Sequence, residues 1–354
     1  MVRDKELSKM AELDKIDIVI LWVDGSDTKW QEEKNKFDIN GDNIPINSDM
    51  RYRDWGTLKY VLRSIEKNIP WYNKIYIITE GHTPEWLNLQ NMKIKFVTHK
   101  DIYFDKSHLP TFSSPSIEMN LVNIQGLSEK FIYFNDDMIL LKPLERERFF
   151  YNNKPVDFLS NGWFFRNRLF EKLRGMNVWA HSIKNNIDLI NKECSVENLT
   201  SEQLYHHSYS LKVRLSNFLL DKVYKKFLWF EHWHHPQPYL RSTLASVEQA
   251  FLREMMVCSK NRFRHKSDLN QYIYRYWQLA SGDFHPWKHD DGLYAKIENK
   301  KDMDNFLLDM NEYAFGCPND SVSDSISIEE QKYIMCMLEE KLQKLFPEKS
   351  SLER

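Results

Sequence analysis

The sequence contains few of the residues that interrupt or cross-link a chain. Its 354 residues include 10 glycines, 12 prolines and 4 cysteines. So little glycine and proline argues against collagen-like repeats and low-complexity segments. The cysteines lie far apart and form no Cys-x-x-Cys pair, which favours a reduced, cytoplasmic protein over a disulfide-linked secreted one.

Long apolar runs and a strong net charge are also lacking. No apolar run reaches the length of a membrane span, and the charged residues 1–15 lack the apolar core of a signal peptide. The formal net charge of −2 argues against nucleic acid as a partner. Aromatic residues, in contrast, make up 14% of the chain. This is common in sugar-handling proteins, where ring faces stack on pyranose rings, and also in large hydrophobic cores.

Strand and helix patterns alternate as far as residue 140. Apolar residues at helical spacing predict a helix between Asp54 and Pro70, and Asp27 is a candidate N-cap for a helix at 28–37. This alternation predicts an α/β fold with a mostly parallel sheet. Short β-branched or aromatic runs predict its buried strands at 16–22, 74–79, 93–98 and 131–134.

Two adjacent carboxylates, Asp136 and Asp137, directly follow Asn135 at the end of the last of these strands. The carboxyl ends of strands form the ligand crevice of open α/β sheets, and buried paired carboxylates need a positive partner. They would hold a Mg²⁺ or Mn²⁺ ion that bridges nucleotide phosphates. A solvated turn is the alternative, and spacing alone does not separate the two.

The first strand likewise ends near a carboxylate and a glycine, Asp24 and Gly25. Asp24 could contact a base, a ribose or a metal ion, and Gly25 would let the backbone approach a ligand closely. Three arginines further on are candidate phosphate clamps, because a guanidinium binds phosphate oxygens bidentately. They are Arg51, Arg53 and Arg63, the last on a helix face with Lys59 and Lys67 that would ordinarily be solvated.

The region from 144 to 230 is largely helical in pattern and contains two basic amphipathic segments, 164–174 and 211–230. Such segments can lie on an anionic membrane surface. The simpler interpretation is that they are amphipathic helices packed on a core. Before this region, residues 117–124 are expected to be helical, with Glu118 as a surface carboxylate.

Three histidines occur within four residues, at His232, His234 and His235. Their spacing differs from the i, i+4 pair of helical zinc sites, and the cysteines offer no partner ligands. We expect one of them to act as a general base instead, since the histidine pKa lies near neutrality. Further on, 317–320 is predicted to form an acidic turn, and Ser327 to begin a helix.

Five blocks of sequence, at 16–27, 53–81, 109–137, 234–269 and 317–320, carry motifs in the order of a known family. They include Val-Asp-Gly-Ser-Asp at 23–27, Asn-Asp-Asp at 135–137 and Cys-Pro-Asn-Asp at 317–320. The chain resembles the Stealth family of bacterial capsular and exopolysaccharide phosphotransferases. That family is related to the animal enzyme that adds N-acetylglucosamine-1-phosphate to lysosomal glycoproteins.

This resemblance implies transfer of a sugar-1-phosphate from a UDP-sugar to a hydroxyl of a lipid-linked or polymeric glycan, with release of UMP. An N-acetylhexosamine is the expected sugar. The resemblance also implies a Rossmann-like, glycosyltransferase-A-like core. Two alternatives stay open, namely an ordinary glycosyltransferase that releases UDP and a non-catalytic subunit that binds a sugar nucleotide or glycan.

The resemblance further implies roles for single residues. Asp136 and Asp137 would bind Mg²⁺ or Mn²⁺, with Asp320 as a further ligand, and His234 would remove the hydroxyl proton. Arg264 would stabilise phosphate charge in the transition state. The residues implied in donor binding are Asp24, Gly25, Arg53, Arg63, Arg262 and Asn319.

The predicted organisation has five segments. A lead-in at 1–15 precedes a Rossmann-like nucleotide- and metal-binding core at 16–143. A largely helical region at 144–230 would contact the acceptor and the inner face of the cell membrane. The second half of the catalytic core would occupy 231–324, followed by a C-terminal helix at 325–354.

Overall fold

The computed structural model describes residues 14–38, 52–162, 177–231, 234–323 and 325–354. Several predictions concern residues outside these ranges. They are those for most of the lead-in, for Arg51, for the basic segment 164–174 and for His232.

A five-stranded sheet with the order β3–β2–β1–β4–β8 forms the centre of the protein. The first four strands are parallel to one another, and β8 is antiparallel to β4. The predicted α/β fold with a mostly parallel, Rossmann-like sheet is therefore confirmed. The strands are β1 (Ile16–Leu21), β2 (Ile75–Thr79), β3 (Ile94–Thr98), β4 (Lys130–Asn135) and β8 (Gln237–Leu240).

Two three-stranded sheets flank the central one, in the orders β10–β11–β5 and β6–β7–β9. The predicted acidic turn at 317–320 is wrong, because these residues end β11, which pairs parallel with β10 and antiparallel with β5. The strands are β5 (Ile139–Leu140), β6 (Phe150–Tyr151), β7 (Lys154–Asp157), β9 (His285–Pro286), β10 (Gly292–Ile297) and β11 (Phe315–Asp320).

Helices cover both faces of the central sheet. Asp27 caps the first helix as predicted, since its side chain accepts a hydrogen bond from the Trp30 backbone N–H. Ser327 caps the last helix in the same way. The helices are α1 (Thr28–Phe37), α2 (Thr57–Asn68), α3 (His99–Ile102), α4 (Ser114–Glu118), α5 (Val178–Glu193), α6 (Ser201–Tyr205), α7 (Leu211–Leu219), α8 (Arg241–Ser259), α9 (Tyr272–Ser281), α10 (Lys300–Asp309) and α11 (Ile328–Leu345).

Two of the predicted helices are shorter than expected. The helix predicted at 117–124 ends at Glu118 and is followed by a 3-10 turn at Leu121–Asn123. The segment at 211–230 is helical only as α7 and a π-helical turn at Leu220–Tyr224. No helix in the described part of the chain combines the length and apolar character that crossing a bilayer requires.

The strands β1, β2 and β4 are buried on both faces, which explains their nearly continuous apolar sequences. Successive side chains of a strand point to opposite faces, and β1 shows the result. Ile18 and Ile20 lie in a core formed with α2, α10 and α11, whereas Val19 lies in a core formed with α5, α8 and α9. All three side chains are fully buried.

Arg63 has a structural role, which corrects its prediction as a phosphate clamp. Its Nε and Nη2 donate to the two carboxylate oxygens of Glu353 at 2.7 and 2.8 Å, and Nη1 donates to the Phe346 carbonyl at 2.7 Å. The side chains of the ion pair are 4% and 2% exposed. The guanidinium is therefore engaged in holding the C-terminal segment against α2.

We expect Arg63→Met to lower the free energy of unfolding by about 3–5 kcal/mol, because it leaves the Glu353 carboxylate buried without a cation. Urea denaturation measures the change. Lys59→Met, on the same helix, is the control and should stay within about 0.5 kcal/mol of wild type. Unchanged stability of Arg63→Met together with lost nucleotide binding would restore the phosphate-clamp role.

The difference in the free energy of unfolding between wild type and Arg63→Met should also depend on pH. Burial raises the pKa of Glu353, but the hydrogen bond and charge of Arg63 outweigh burial and lower it below 4.5. The lowered pKa means that the pair stabilises the fold fully above pH 4.5 and loses its effect as the pH falls further. The gap between wild type and Arg63→Met should therefore narrow in acid.

Candidate active site

The topology brings three chain segments to the carboxyl-terminal ends of the central parallel strands, which we call the carboxyl edge of the sheet. The parallel strands β1 and β4 both end there, with Leu21 paired to Asn135. Because β8 is antiparallel to β4, the residues that precede β8 reach the same edge. Asp24, the Asn135–Asp137 segment and His234 are thus neighbours, although almost 100 residues separate His234 from Asp137 along the chain.

His234 lies between Asn135 and Asp137. Its Nε2 is 3.1 Å from the amide nitrogen of Asn135 and 3.7 Å from Oδ2 of Asp137. With the amide as donor, Nε2 accepts through its lone pair, and the proton of the neutral ring is then on Nδ1. The ring also makes an edge contact with Tyr294 on β10, at 5.6 Å between centroids. This is the geometry of a positioned base with a carboxylate beside it.

The two adjacent aspartates differ in their electrostatics. Burial, followed by repulsion from Asp137 and Asp54, raises the pKa of Asp136 well above its usual range. Burial also acts to raise the pKa of Asp137, but hydrogen bonding and charge from His234, with a hydrogen bond from Cys317, outweigh it and lower that pKa. One carboxylate of the pair is thus ionised, and the other favours its neutral form in the absence of a cation.

Several features of this edge fit a divalent cation. Oδ1 of Asp137 is buried and has no hydrogen-bond partner among the described residues, and such an atom is costly to leave unsatisfied. Ligand-type atoms of Asp137, His234 and Cys317 lie within 4.8 Å of one another. Burial, then the charge of Asp137, raises the pKa of the Cys317 thiol, so the thiol stays protonated. Sequence analysis did not single out Cys317 as a site residue.

Asp54 is a further carboxylate that sequence analysis did not select. Its Oδ2 accepts from the Trp22 indole N–H at 3.2 Å, and its Oδ1 accepts from the Gly56 backbone N–H at 2.7 Å. Burial raises the pKa of Asp54, and repulsion from Asp24 adds to the effect. In the sequence, the feature that could have indicated Asp54 as a site residue was its position directly after Arg53 and shortly before α2.

Asp24 and Gly25 lie at this edge, but Gly25 has a different reason to be glycine. The carboxylate of Asp24 accepts from the backbone N–H and hydroxyl of Ser26 at 2.9 and 2.6 Å. A Cβ on Gly25 would lie 1.7 Å from the Tyr52 carbonyl oxygen. The close approach that requires glycine is therefore that of the protein's own backbone, and a ligand contact at Gly25 stays a prediction.

Asp320, which is predicted to be a further metal ligand, forms an ion pair with Arg53 in the structure. Its Oδ2 is 3.3 Å from Nη1 of Arg53 and accepts from the Trp55 indole N–H at 2.8 Å. Neither Asp320 nor Asp136 belongs to the group of converging ligand atoms found in the described residues. Asn319, which shares the strand face of Cys317 because side chains alternate along β11, remains a predicted substrate contact.

The two arginines of the basic cluster bond with the segment at 107–114. Arg262 donates through Nη2 to the carbonyls of Ser107 and Leu109 at 3.2 and 3.0 Å, so it holds this loop, and its phosphate contact stays a prediction. Arg264 donates to the Ser114 hydroxyl at 3.1 Å and interacts electrostatically with Glu118.

Glu118 is buried, which corrects its prediction as a surface carboxylate. It accepts from the Gln271 backbone N–H at 2.7 Å and from the Tyr133 hydroxyl at 3.2 Å. Burial raises its pKa. The residue therefore links α4 to β4 and to the start of α9.

Comparisons with known proteins agree with the motifs. Models of Stealth protein conserved regions 1 and 2 match residues 14–42 and 51–157. The chain is 35% identical to a capsular polysaccharide phosphotransferase, WcwK, of Streptococcus pneumoniae, over 98% of this chain and 100% of that protein. It is 32% identical to a receptor polysaccharide phosphotransferase, WefC, of Streptococcus gordonii, over 96% and 99%.

A third relative is an exopolysaccharide phosphotransferase, cps2G, of Lactiplantibacillus plantarum, with 30% identity over 96% of each chain. Among solved structures, the galactosyltransferase LgtC in complex with donor and acceptor sugar analogs has a TM-score of 0.37 and 9% identity, over 93% of this chain and 95% of that one. On the full-length similarity to the named phosphotransferases, this chain belongs to the Stealth family of polysaccharide phosphotransferases.

Proposed function

We propose that the protein transfers a sugar-1-phosphate, with N-acetylhexosamine as the expected sugar, from a UDP-sugar to a glycan hydroxyl in capsule or exopolysaccharide synthesis. The observation that carries the proposal is the contact of His234 with Asn135 and Asp137 at the carboxyl edge of the sheet. The names of the relatives support phosphotransfer as the reaction class.

The residues suit attack by a hydroxyl at the phosphorus atom that bears the sugar. The acceptor oxygen would form the new bond to this phosphorus, the bond to the bridging oxygen would break, and UMP would leave. The acceptor hydroxyl would first displace the Asn135 amide from His234 Nε2. Nε2 would then take the hydroxyl proton, and Asp137 would face an imidazolium that its charge stabilises. Asn135 would orient the ring until the acceptor binds.

A Mg²⁺ or Mn²⁺ ion is proposed at Asp137, with Asp136, Asp24 and Asp54 contributing negative charge around it. When bound, the ion would neutralise charge on the diphosphate. Carboxylate oxygens suit both ions. Arg53 and Arg264 are the proposed phosphate contacts, and Asn319 is a proposed contact to the donor.

We also propose that α7 lies against an anionic membrane, where a lipid-linked acceptor would be found. Leu211, Leu215 and Phe218 recur at i, i+4 and i+7 and are 83%, 52% and 47% exposed. An exposed apolar stripe beside basic residues is typical of interfacial helices. The basic residues of this segment are Lys212, Arg214, Lys222, Lys225 and Lys226.

The reaction can be tested by incubating the protein with Mg²⁺ or Mn²⁺, a panel of UDP-sugars and a glycan acceptor, and identifying the released nucleotide. We expect UMP and a phosphodiester in the product, and no release after EDTA treatment. Asp137→Asn is the inactive control. UDP as the product would instead identify an ordinary glycosyltransferase, and donor binding without any turnover would favour the non-catalytic subunit.

Substitutions can distinguish the role of His234 from that of the adjacent His235. We expect His234→Gln to lower kcat by a factor on the order of 10²–10⁴ with little change in donor affinity, because it removes the proton acceptor. His235→Gln is the matched control, since His235 is buried and its ring bonds with Gln237. Equal loss in both variants would contradict a specific base role for His234.

The membrane contact predicts that the protein sediments with anionic liposomes at low salt and is released at high salt. Leu215→Glu should weaken this binding about tenfold or more, because it places a charge in the apolar stripe. Leu308→Glu changes a leucine on α10 that is 77% exposed, against 52% for Leu215, and should have no effect. The proposal would be refuted if the wild-type protein did not sediment with anionic liposomes at low salt.

A further inference from the structure

A cavity separate from the candidate active site is lined by an unusual number of histidines. We call it the histidine pocket, and its volume of about 530 Å³ is in the range of small-molecule sites. The sheet of β6, β7 and β9 forms one wall, and the turn after α6 forms another. The residues used below are Tyr151, His206, His207, His285, Trp287 and His289.

Aromatic rings contact one another throughout the pocket. Centroid distances are 4.5 Å for Tyr151 and His285, 4.1 Å for His206 and His207, and 5.3 Å for His207 and Trp287. Trp287 and Tyr151 are nevertheless 37% and 44% exposed. Two large rings thus keep surface open to a ligand, with imidazole nitrogens beside them.

Three histidines of the pocket, His206, His285 and His289, favour their neutral form. Burial lowers the pKa of His206 and of His285, and burial together with the charge of Arg148 lowers the pKa of His289 to about 4. A neutral imidazole offers one donor and one acceptor. Arg148, the cation in the wall, is held by both carboxylate oxygens of Asp291 at 2.8 Å. This chemistry suits hydroxyl groups better than phosphate.

A metal site is a weaker explanation of the same residues. In the ranges that the structure describes, converging ligand atoms occur at Asp137, His234 and Cys317 and not among these histidines. His206 Nδ1 is instead 2.9 Å from the Ser208 hydroxyl. The pocket therefore combines ring faces with neutral hydrogen-bonding groups, which is the composition that binds pyranose rings.

The pocket is close to the candidate active site. Asp291, which holds Arg148 in the pocket wall, directly precedes β10, and Tyr294 on that strand contacts His234. Three residues of extended chain, from Asp291 to Tyr294, span about 10 Å, and the side chains of Arg148 and Tyr294 lengthen the path at its two ends. An oligosaccharide of several units could therefore occupy the pocket with one unit while another unit presents its hydroxyl to His234.

We propose that the histidine pocket binds a neutral sugar unit of the acceptor glycan, remote from the hydroxyl that reacts. The inference rests on the proposed function for its place in the reaction. Binding itself is independent of catalysis, because the pocket shares no side chain with the His234 site. The pocket would select acceptors by a unit that the reaction leaves unchanged.

The test begins with the intact protein, without a donor, on an array of neutral bacterial oligosaccharides, followed by calorimetry with the best binder. We expect Trp287→Ala to weaken its binding about tenfold or more, as truncation of an aromatic anchor does. Trp179→Ala is the matched control, since Trp179 is 40% exposed on α5, and should bind like wild type. Inorganic phosphate should not compete.

Three results would overturn the proposal. They are binding of no array glycan, equal binding by Trp287→Ala and wild type, and displacement of the glycan by phosphate. If UMP release is also observed, Trp287→Ala should raise KM for the acceptor about tenfold and Trp179→Ala should not. If the protein binds a glycan through Trp287 but releases no UMP, the proposal for the pocket stands and the proposed function is refuted.

Discussion

The antiparallel pairing of β8 with β4 is the contact on which the rest of the site depends. It places Gln237 opposite Tyr133 and Leu240 opposite Lys130. A fifth parallel strand would deliver the residues before it to the opposite edge of the sheet. Because β8 runs in reverse, the turn before it meets the end of β4, and His234 comes within reach of Asn135 and Asp137. The backbone hydrogen bonds of one edge strand thus position the reactive side chains.

Electrostatics at this edge follow from the same arrangement. Strand ends converge, so Asp24, Asp54, Asp136 and Asp137 interact through a partly desolvated space. In the part of the chain that the structure describes, Asp137 has a cation-forming neighbour in His234. The pKa of Asp136 is raised and that of Asp137 lowered. The proposed divalent ion would favour the ionised form of both carboxylates.

The elements that sequence analysis located are those that local pattern determines. The apolar runs of β1 to β4 and the caps at Asp27 and Ser327 require no knowledge of distant residues. The contacts that sequence analysis missed involve partners far away in sequence. Arg63 meets Glu353 and Asp320 meets Arg53, while Gly25 is fixed by the Tyr52 carbonyl. Asp54 and Cys317 escaped notice because a single carboxylate or thiol has no spacing signal, and only the folded sheet edge reveals their neighbours.

The path of the chain between β5 and β8 has one more consequence. The chain continues from β4 through β5, which pairs with β11, and returns at β8 to pair with β4. Within this excursion, α5 packs in the core and His234 belongs to the site. Its remaining surface segments are those that can change in length while the catalytic edge stays intact, because the entropy of closing a loop grows only slowly with its length. Tyr151 and His206 of the histidine pocket belong to this excursion, so related chains could diversify the surface polysaccharides they build and keep one chemistry.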